Sequence, residues 1–224
     1  MFGKQYMATL DKKKILITAG PVWVPIDSVR IMTNIFKGTL GIKIAQECAR
    51  RGAIVTLLLG PTAVSLPEET PLITIDRFKF FDELYQKMER LVSGKQFDAV
   101  FHSAAVADYL PKKIYQGKIK SGKESLAIEF QPTVKIVDLI KRWDPDIFLV
   151  KFKLEVGLDR ESLIDKAYQS MLDSKAELIV ANDFNDISES AHAAYIIDAE
   201  KKITSCDSKD DIAKKLVATI SRVL

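Results

Sequence analysis

Short apolar runs alternate with amphipathic stretches along this chain, and that alternation constrains the fold more than any other feature. The first run, Lys14–Ala19, is almost continuously apolar, which is typical of a strand covered on both faces in a parallel sheet. Further strands are predicted over 54–59, 72–75, 97–101, 126–130, 147–152 and 178–181. Apolar residues at helical spacing predict helices over 38–51, 80–92, 136–143, 159–173 and 208–220. Such alternation indicates βαβ units.

The predicted fold is therefore α/β: a Rossmann-like three-layer fold with a mostly parallel sheet and a small β-hairpin extension. The hairpin is predicted over 193–197 and 202–204. No linker or repeat divides the 224 residues, a length that suits one domain with a full core. We expect residues 14–224 to form a single domain and the polar residues 1–13 to form a flexible N-terminal extension.

Charge, apolarity and cysteine content limit the partners and the compartment. The net charge is only +3 and the basic residues are scattered, so no nucleic acid is expected as a partner. No apolar run approaches the roughly 20 residues of a membrane-spanning helix, so no membrane is expected either. Cys48 and Cys206 are far apart and no export signal precedes them, which predicts reduced thiols in a cytoplasmic protein. Cys48 lies in an apolar helical row and is predicted to pack in the core.

Ligands of Rossmann-like sheets bind beyond the carboxyl ends of the strands, so the residues that follow each strand are candidate site residues. After the first strand come Gly20 and, beyond a loop, a helix start that contains Gly38 and Gly41. A glycine-flanked helix start offers free N–H groups and the positive end of the helix dipole to a phosphate. The same glycines also suit close packing of a helix on a sheet, and both interpretations stay open.

Small and polar residues follow two more strands. The run Ser103–Asp108 lets a flat ligand approach the backbone, and its aspartate either binds a metal or a hydroxyl group or caps a turn. Asn182 and Asp183 form either a polar site or an Asx turn. The loop after Asp108 is rich in lysine, and one or two of its lysines are expected to reach a polyphosphate: Lys112, Lys113, Lys118, Lys120 and Lys123.

The histidines do not indicate a catalytic pair. His102 and His192 have no obvious partner in the sequence, so a serine or cysteine nucleophile with a histidine base has little support. No motif indicates a metal cluster, and metal ligands stay unknown.

An ordered set of motifs over about residues 14–200 resembles the phosphopantothenate–cysteine ligases (phosphopantothenoylcysteine synthetases) of coenzyme A biosynthesis, in their stand-alone form. Each motif alone is unspecific, and the resemblance rests on their order. The matching stretches are 17–21, 26–30, 33–34, 38–41, 104–109, 118–120, 152–155 and 179–183.

The resemblance implies a homodimer that acts on 4'-phosphopantothenate and cysteine, with CTP or ATP and Mg²⁺ as cofactors. The carboxylate attacks the α-phosphate to give an acyl nucleotidylate, and the cysteine amine then attacks the acyl carbon. Asn34 and Lys118 are implied as catalytic residues, and Asn34 and Ala105 as substrate-binding residues. The implied nucleotide contacts are Gly20, Gly38, Ser103, Ala104, Ala105, Asp108, Lys118, Thr133, Val134, Lys135, Ile136 and Phe152.

Several positions depart from the family pattern. Ile35 and Phe36 stand where the family has small hydroxyl residues, which removes donors that Lys37 is expected to replace. Val134 replaces a proline, Lys151 replaces a glycine, and two nucleotide-binding lysines of the family fall at Ser170 and Ser174. The preference between CTP and ATP stays open, as does the effect of these changes on activity.

Two alternatives remain at this point. A nicotinamide-dependent oxidoreductase needs a glycine-rich fingerprint after the first strand and an acidic residue after the second, where Gly60 stands. A non-catalytic paralogue that binds phosphopantothenate or a partner protein is favoured by the altered residues at 35 and 36.

Overall fold

The structure is a computed structural model that describes residues 9–66, 70–122, 124–187 and 192–224. The strands are β1 (Lys14–Ala19), β2 (Trp23–Pro25), β3 (Ile31–Thr33), β4 (Ile54–Leu59), β5 (Ile73–Arg77), β6 (Ala99–His102), β7 (Tyr109–Pro111), β8 (Phe130–Pro132), β9 (Phe148–Glu155), β10 (Leu178–Asp183), β11 (Ala194–Asp198) and β12 (Ile203–Cys206). The helices are α1 (Thr39–Arg50), α2 (Phe81–Ser93), α3 (Ile136–Trp143), α4 (Arg160–Asp173) and α5 (Lys209–Ile220).

Eight strands form the central sheet, in the order β12-β11-β10-β9-β6-β1-β4-β5. Neighbouring strands from β10 to β5 pair in parallel, and the hairpin of β11 and β12 adds antiparallel strands at one edge. The mostly parallel sheet and the hairpin extension that the sequence predicts are both confirmed. The helices α1 to α4 return the chain between parallel strands, and a loop joins β4 to β5, so the carboxyl ends of the parallel strands meet at one edge.

Two apolar layers cover the faces of the sheet. Alternate residues of β1 face opposite sides, so Ile17 packs with α1 and α5 while Leu16 packs with α2, α3 and α4. This arrangement confirms the predicted three layers. Cys48 has no exposed surface and lies in the first of these clusters, as predicted, and burial raises the pKa of its thiol. None of the described helices is long and apolar enough to cross a membrane.

Several helices begin or end at residues that are typical helix caps. Ser208 Oγ accepts a hydrogen bond from the Asp211 N–H at 3.1 Å and begins α5. Asp159 does the same for α4 through the Ser162 N–H, at 2.9 Å. Gly52, at φ 93°, ends α1 in the left-handed region.

The prediction of a flexible extension over residues 1–13 is wrong near its end. Leu10 has no exposed surface, and its N–H donates to the Arg51 carbonyl at 2.8 Å. Its side chain joins the same apolar cluster as α1, so this part of the chain packs on the domain. Residues 1–8 lie outside the described ranges, as does the predicted loop residue Lys123.

The loops carry strands that sequence periodicity does not predict. β2 and β3 form a hairpin inside the long loop after β1, and β7 pairs antiparallel with β8. The strand predicted over 126–130 is wrong, because the structure has only Phe130–Pro132 there and Leu126 is half exposed. Three-residue strands at the surface bury too few apolar side chains to leave a period-two signal.

Candidate functional site

Two cavities open at the carboxyl ends of the parallel strands. The first cavity, of about 410 Å³, lies above β1 and the start of α1. The second cavity, of about 270 Å³, lies on the other side of the sheet edge, between α3 and α4. Both are therefore where an α/β sheet of this kind binds ligands.

Glycines bring the start of α1 against the end of β1. Gly38 has φ 77°, and a Cβ on it would lie 2.7 Å from the Gly20 backbone nitrogen. A Cβ on Gly41 would lie 2.5 Å from the Ala19 Cβ. These contacts support the packing interpretation of the glycines. Gly38 to Gly41 also line the first cavity, so the first N–H groups of α1, which lack partners within the helix, lie beside this cavity.

Asn34 and Ala105 meet in the first cavity. The Asn34 Nδ2 donates to the Ala105 carbonyl oxygen at 3.2 Å. The Ala105 N–H donates to Gly20 O at 3.0 Å, and the Thr33 hydroxyl donates to Val22 O at 3.0 Å, so both partners are held on the loop after β1. The structure therefore places the two implied substrate-binding residues side by side.

The altered segment after Asn34 lies at the rim of the first cavity. The Phe36 ring makes an edge contact with the Phe184 ring, with centroids 6.2 Å apart. Ile35 is 73% exposed and does not line the cavity, whereas Phe36 and Lys37 do. Lys37, which is expected to replace the missing donors, therefore lines the first cavity.

The far wall of the first cavity comes from the end of β10 and the chain beyond it. It contains Asn182, His192 and Lys209, the first residue of α5. His192 is buried, and neither of its ring nitrogens has a hydrogen-bond partner within the described part of the chain. Burial, with a smaller effect of the Lys209 ammonium, lowers the pKa of His192 to about 4. This wall therefore offers neutral imidazole and amide groups beside one cation.

Asp183, the last residue of β10, supports the Asx-turn interpretation. Its carboxylate accepts from the Asn185 N–H at 2.9 Å and from the Leu158 N–H at 2.8 Å. The pKa of Asp183 is lowered by the Leu158 bond first and by the Asn185 bond next. Asp183 therefore forms the Asx turn, and Asn182 faces the cavity.

The mouth of the second cavity is built from the segment between β8 and α3. Thr133 is fixed to the loop after β6, since its hydroxyl donates to Ala107 O at 2.8 Å and its N–H donates to Asp108 O at 2.9 Å. The whole predicted contact segment, Thr133–Ile136, lines this cavity. Val134 is 55% exposed there, so the position that departs from the family pattern faces the opening.

His102 lies at the back of the second cavity. Its Nδ1 is 3.1 Å from the Thr18 Oγ1, which also accepts the Ala104 N–H at 3.1 Å. The histidine therefore has a partner, contrary to the expectation from the sequence. Burial, and to a smaller extent the Lys151 ammonium, lowers the pKa of His102 to about 4. It stays neutral at physiological pH.

Lys151 stands beside His102 with its ammonium in the second cavity. The Nζ donates to the Ser170 carbonyl oxygen at 2.8 Å and to the Ser170 Oγ at 3.0 Å. Burial lowers the pKa of this ammonium, and Asp138 and Asp173 partly oppose the shift. Ser174 does not line either cavity; its hydroxyl donates to carbonyls of α4.

The two cavities adjoin. Ala104, Val106, Asp108, Phe152 and Lys153 line both of them. A molecule in each cavity would meet its neighbour above the ends of β6 and β9. The arrangement suits a reaction between two bound substrates better than storage of one.

Lys118 is exposed and lines neither cavity. The backbone on both sides of it is held by the turn before β3. The Gly117 N–H donates to the Ser28 Oγ at 3.0 Å, and the Ile119 N–H donates to the Asp27 Oδ2 at 3.0 Å. The Ile119 bond is the main cause of the lowered pKa of Asp27. The implied contact of Lys118 with the nucleotide therefore stays a prediction, and it requires this segment and turn to move.

Apart from Lys118, every site residue implied by the sequence lines one of the cavities. The first cavity contains Gly20, Asn34, Gly38, Ser103 and Ala105, and the second contains Thr133, Val134, Lys135 and Ile136. Ala104, Asp108 and Phe152 belong to both. The sequence did not point to Lys209 or to a binding role for His192, because no periodic or spaced motif connects them to the other residues. In the described ranges no group of three or more His, Cys, Asp or Glu residues suits a metal ion.

The chain is similar in sequence to a known family and to several known proteins. Residues 10–224 match the family described as DNA/pantothenate metabolism flavoprotein C-terminal domain. The chain is 33% identical over 223 residues to the coenzyme A biosynthesis bifunctional protein CoaBC of Thermococcus kodakarensis, covering 99% of this chain and 54% of that protein. The CoaBC of Borreliella burgdorferi is 32% identical over 214 residues, with 93% and 52% covered. The chain thus spans about half the length of the curated relatives it matches.

Solved structures have the same fold. The DNA/pantothenate metabolism flavoprotein from Streptococcus pneumoniae is 31% identical, with a TM-score of 0.86 and coverage of 95% of this chain and 100% of that one. The C-terminal domain of a CoaBC protein is 26% identical, with a TM-score of 0.78 and 97% of each chain covered. A Cab2 mutant in complex with phosphopantothenate-cysteine shares the fold at 18% identity, with a TM-score of 0.76 over 94% of this chain and 86% of that one.

Proposed function

This chain belongs to the DNA/pantothenate metabolism flavoprotein C-terminal domain family, and we propose that it is a ligase that joins 4'-phosphopantothenate to cysteine in coenzyme A biosynthesis. The names of its curated relatives support the pathway. The ligand phosphopantothenate-cysteine, solved with a protein of the same fold, is the product that such a ligase would form.

The observation that carries this proposal is the pair of adjoining cavities. The first contains the bonded pair Asn34 and Ala105, and the second contains the start of α3 and Lys151. Asp108 and Phe152 line both. A carboxylate substrate in the first cavity would meet the α-phosphate of a nucleotide in the second, as acyl activation requires.

The reaction has two steps. A carboxylate oxygen of 4'-phosphopantothenate attacks the α-phosphorus, the bond to the β-phosphate breaks, and pyrophosphate leaves. The cysteine nitrogen then attacks the acyl carbon, the acyl–oxygen bond breaks, and the nucleoside monophosphate leaves with loss of one proton from the amine. Binding 4'-phosphopantothenate and the nucleotide above the same strand ends makes the first step a reaction between two bound molecules, which lowers the entropic part of the barrier.

Asn34 suits the first step because its amide is neutral. One N–H of the amide is held by the Ala105 carbonyl, so the side chain has a defined orientation. A neutral donor can orient the carboxylate and the acyl intermediate without stabilising the carboxylate so strongly that it loses nucleophilicity. The N–H groups at the start of α1 would bind the anionic end of a ligand.

The second cavity is the proposed site of CTP or ATP. Thr133 and Ile136 lie at its mouth, at the N-terminus of α3, where the positive end of the helix dipole favours an anion. Magnesium prefers one or two carboxylates together with substrate phosphates, and Asp108 is the carboxylate that lines both cavities. The ion would neutralise charge on the phosphates, and the residues present fit this mode of binding. Lys118 is proposed to approach the phosphates when its loop moves.

We also propose that the protein forms a homodimer. β12 is the last strand of the central sheet and leaves one row of backbone groups unpaired within it. Exposed sheet edges of this kind favour pairing with a second copy.

Pyrophosphate release tests the proposed ligase. The assay uses each triphosphate with 4'-phosphopantothenate, first without and then with cysteine. We expect release that requires phosphopantothenate and Mg²⁺, with either CTP or ATP preferred. No release with any triphosphate, despite bound phosphopantothenate, would instead identify the non-catalytic paralogue. The altered segment after Asn34, with Ile35 exposed and Phe36 lining the first cavity, is the observation that favours this second candidate.

A further inference from the structure

Lys151 is a buried cation whose hydrogen bonds go to neutral groups. It lies on β9 and is only 7% exposed. Both hydrogen bonds of its ammonium go to Ser170, one to the carbonyl and one to the hydroxyl. No carboxylate forms an ion pair with it among the described residues. A charge that is taken out of water carries a desolvation penalty, and hydrogen bonds to neutral groups offset only part of it.

The ammonium faces the second cavity rather than the apolar core. β9 alternates its side chains, so Leu149 packs with α3 and α4 and Lys151 lies on the same face nearer the strand end. At that point the apolar packing gives way to the cavity, whose other charged residues are Lys135, Lys153, Asp108, Asp138 and Asp173. The aliphatic stem is buried by the sheet and helices, and the charged end reaches the open volume.

We propose that Lys151 binds the phosphates of the nucleoside triphosphate, as a cation supplied by the sheet rather than by a helix or a mobile loop. The inference rests on the proposed function, because the triphosphate is the anion that this function brings into the second cavity. Two of the three N–H bonds of the ammonium are directed at Ser170, and the third is left for a phosphate oxygen. Bonds between an ammonium and a phosphate are charge-assisted and strong in such a water-poor place.

A purely structural role makes a different prediction. Ser170 lies in the last turn of α4, and no basic residue of the helix itself occupies that turn. In this alternative, Lys151 merely satisfies the Ser170 carbonyl and interacts favourably with the helix dipole. A glutamine at position 151 still offers an N–H to that carbonyl but has no charge. Lys151→Gln therefore retains a capping role and removes a phosphate-binding one.

A role in reading the nucleoside base also makes a different prediction. If the ammonium contacts a ring carbonyl or ring nitrogen of the base, changing Lys151 should leave the affinity for inorganic tripolyphosphate unchanged. If it contacts phosphates, inorganic tripolyphosphate and the nucleotide should lose affinity together. Comparing the two ligands therefore separates the phosphates from the base.

The test is calorimetric titration of the full chain with Mg-tripolyphosphate and with MgCTP or MgATP, whichever binds. Wild type, Lys151→Gln and Lys151→Met are compared with Lys166→Gln, an exposed α4 lysine that pairs with Glu155 and lines neither cavity. We expect both Lys151 variants to lose about 30-fold or more in affinity for both ligands. The Lys166 control should stay within about twofold, because exposed ion pairs contribute little.

Three results overturn the inference. Wild-type affinity in a folded Lys151→Gln protein means that the lysine only caps α4. Loss of nucleotide affinity with unchanged tripolyphosphate affinity means that it reads the base. Absence of any triphosphate binding to the wild type contradicts the proposed function itself, and is thereby distinguished from a failure of Lys151 alone. Circular dichroism checks that the variants are folded, and the glutamine variant is decisive if methionine does not fold.

Discussion

The Asn34 Nδ2 lies 3.2 Å from the Ala105 carbonyl oxygen, although 71 positions separate the two residues in the chain. The bond joins the loop after β1 to the loop after β6, and these strands are neighbours in the sheet. Parallel pairing places both loops at the same edge, so the amide is oriented by the fold itself. The first prediction follows from this contact.

Replacing Asn34 by Asp should reduce turnover by about 100-fold or more. The new carboxylate cannot donate to Ala105 and repels the carboxylate of the substrate. Stability should change by less than about 1 kcal/mol, because the side chain is exposed. Steady-state kinetics and urea unfolding measure the two effects. Asn185→Asp, an equally conservative change outside both cavities, is the control. Wild-type turnover in a folded Asn34→Asp protein would remove Asn34 from the mechanism.

Lys118 should matter for the chemical step more than for nucleotide binding. If its loop moves over the triphosphate, the ammonium meets charge that develops as pyrophosphate leaves, a contact worth about 2–4 kcal/mol. Lys118→Ala should then slow acyl-nucleotide formation about 30- to 1000-fold in single-turnover experiments. The matched control is Lys113→Ala, an exposed lysine of the same loop whose ammonium lies over the Tyr115 ring. Equal small effects at both positions would mean that the loop is only a basic surface.

Gly38→Ala should destabilise the fold more than Gly117→Ala. Both glycines have positive φ, at 77° and 70°, but only at Gly38 would the new Cβ meet backbone, 2.7 Å from the Gly20 nitrogen. Strain alone costs about 1 kcal/mol at Gly117. At Gly38 we expect about 3 kcal/mol or more, because the helix start must also move. Urea denaturation measures both, and equal losses would contradict the close approach of α1 to β1.

The two buried histidines should make stability depend on pH. The pKa values of His102 and His192 are lowered from 6.5 to about 4, mainly by burial. Between these values the unfolded chain binds protons that the folded chain does not, so the free energy of unfolding falls as pH is lowered from about 7 toward 4. Above pH 7 the histidines should add no slope. His192→Asn should flatten the fall measured by urea unfolding at several pH values, and an unchanged slope would refute the burial of this ring.

The homodimer prediction concerns the edge strand β12. Ile203 is 37% exposed on this strand, and a lysine there should repel a second edge that pairs with it. Light scattering at micromolar concentration should give a dimer for wild type and a lower mass for Ile203→Lys. A monomeric wild type would exclude this mode of assembly.

Parts of the fold could be predicted because burial leaves a periodic signal. β1 has the predicted bounds, Lys14–Ala19, since both faces of the strand are covered and the run is apolar throughout. The β2–β3 hairpin could not be predicted, because β3 is exposed along its whole length. The sequence places Leu10 in the extension because the polar residues that follow it, up to β1, leave no periodic signal.

The site could be predicted where it follows strand ends. Ser103–Asp108 comes directly after β6 and Asn182 lies at the end of β10, and the parallel sheet brings those ends together. Lys151 was visible only as a departure from a family pattern, because its role depends on Ser170, which belongs to a separate helix. His192 gave no signal, since its place in the first cavity depends on how the β11–β12 hairpin returns to the sheet.

The most direct test of the proposed ligase follows the carboxylate oxygen of 4'-phosphopantothenate. The substrate is labelled with ¹⁸O in its carboxylate and is allowed to react with cysteine and the preferred triphosphate. The masses of the products are then measured by mass spectrometry. If the carboxylate attacks the α-phosphorus, one labelled oxygen must leave with the nucleoside monophosphate when cysteine attacks the acyl carbon. We predict nucleoside monophosphate that carries one ¹⁸O, together with unlabelled pyrophosphate. Unlabelled nucleoside monophosphate, or label in inorganic phosphate with release of a nucleoside diphosphate, would contradict the acyl-nucleotidylate mechanism.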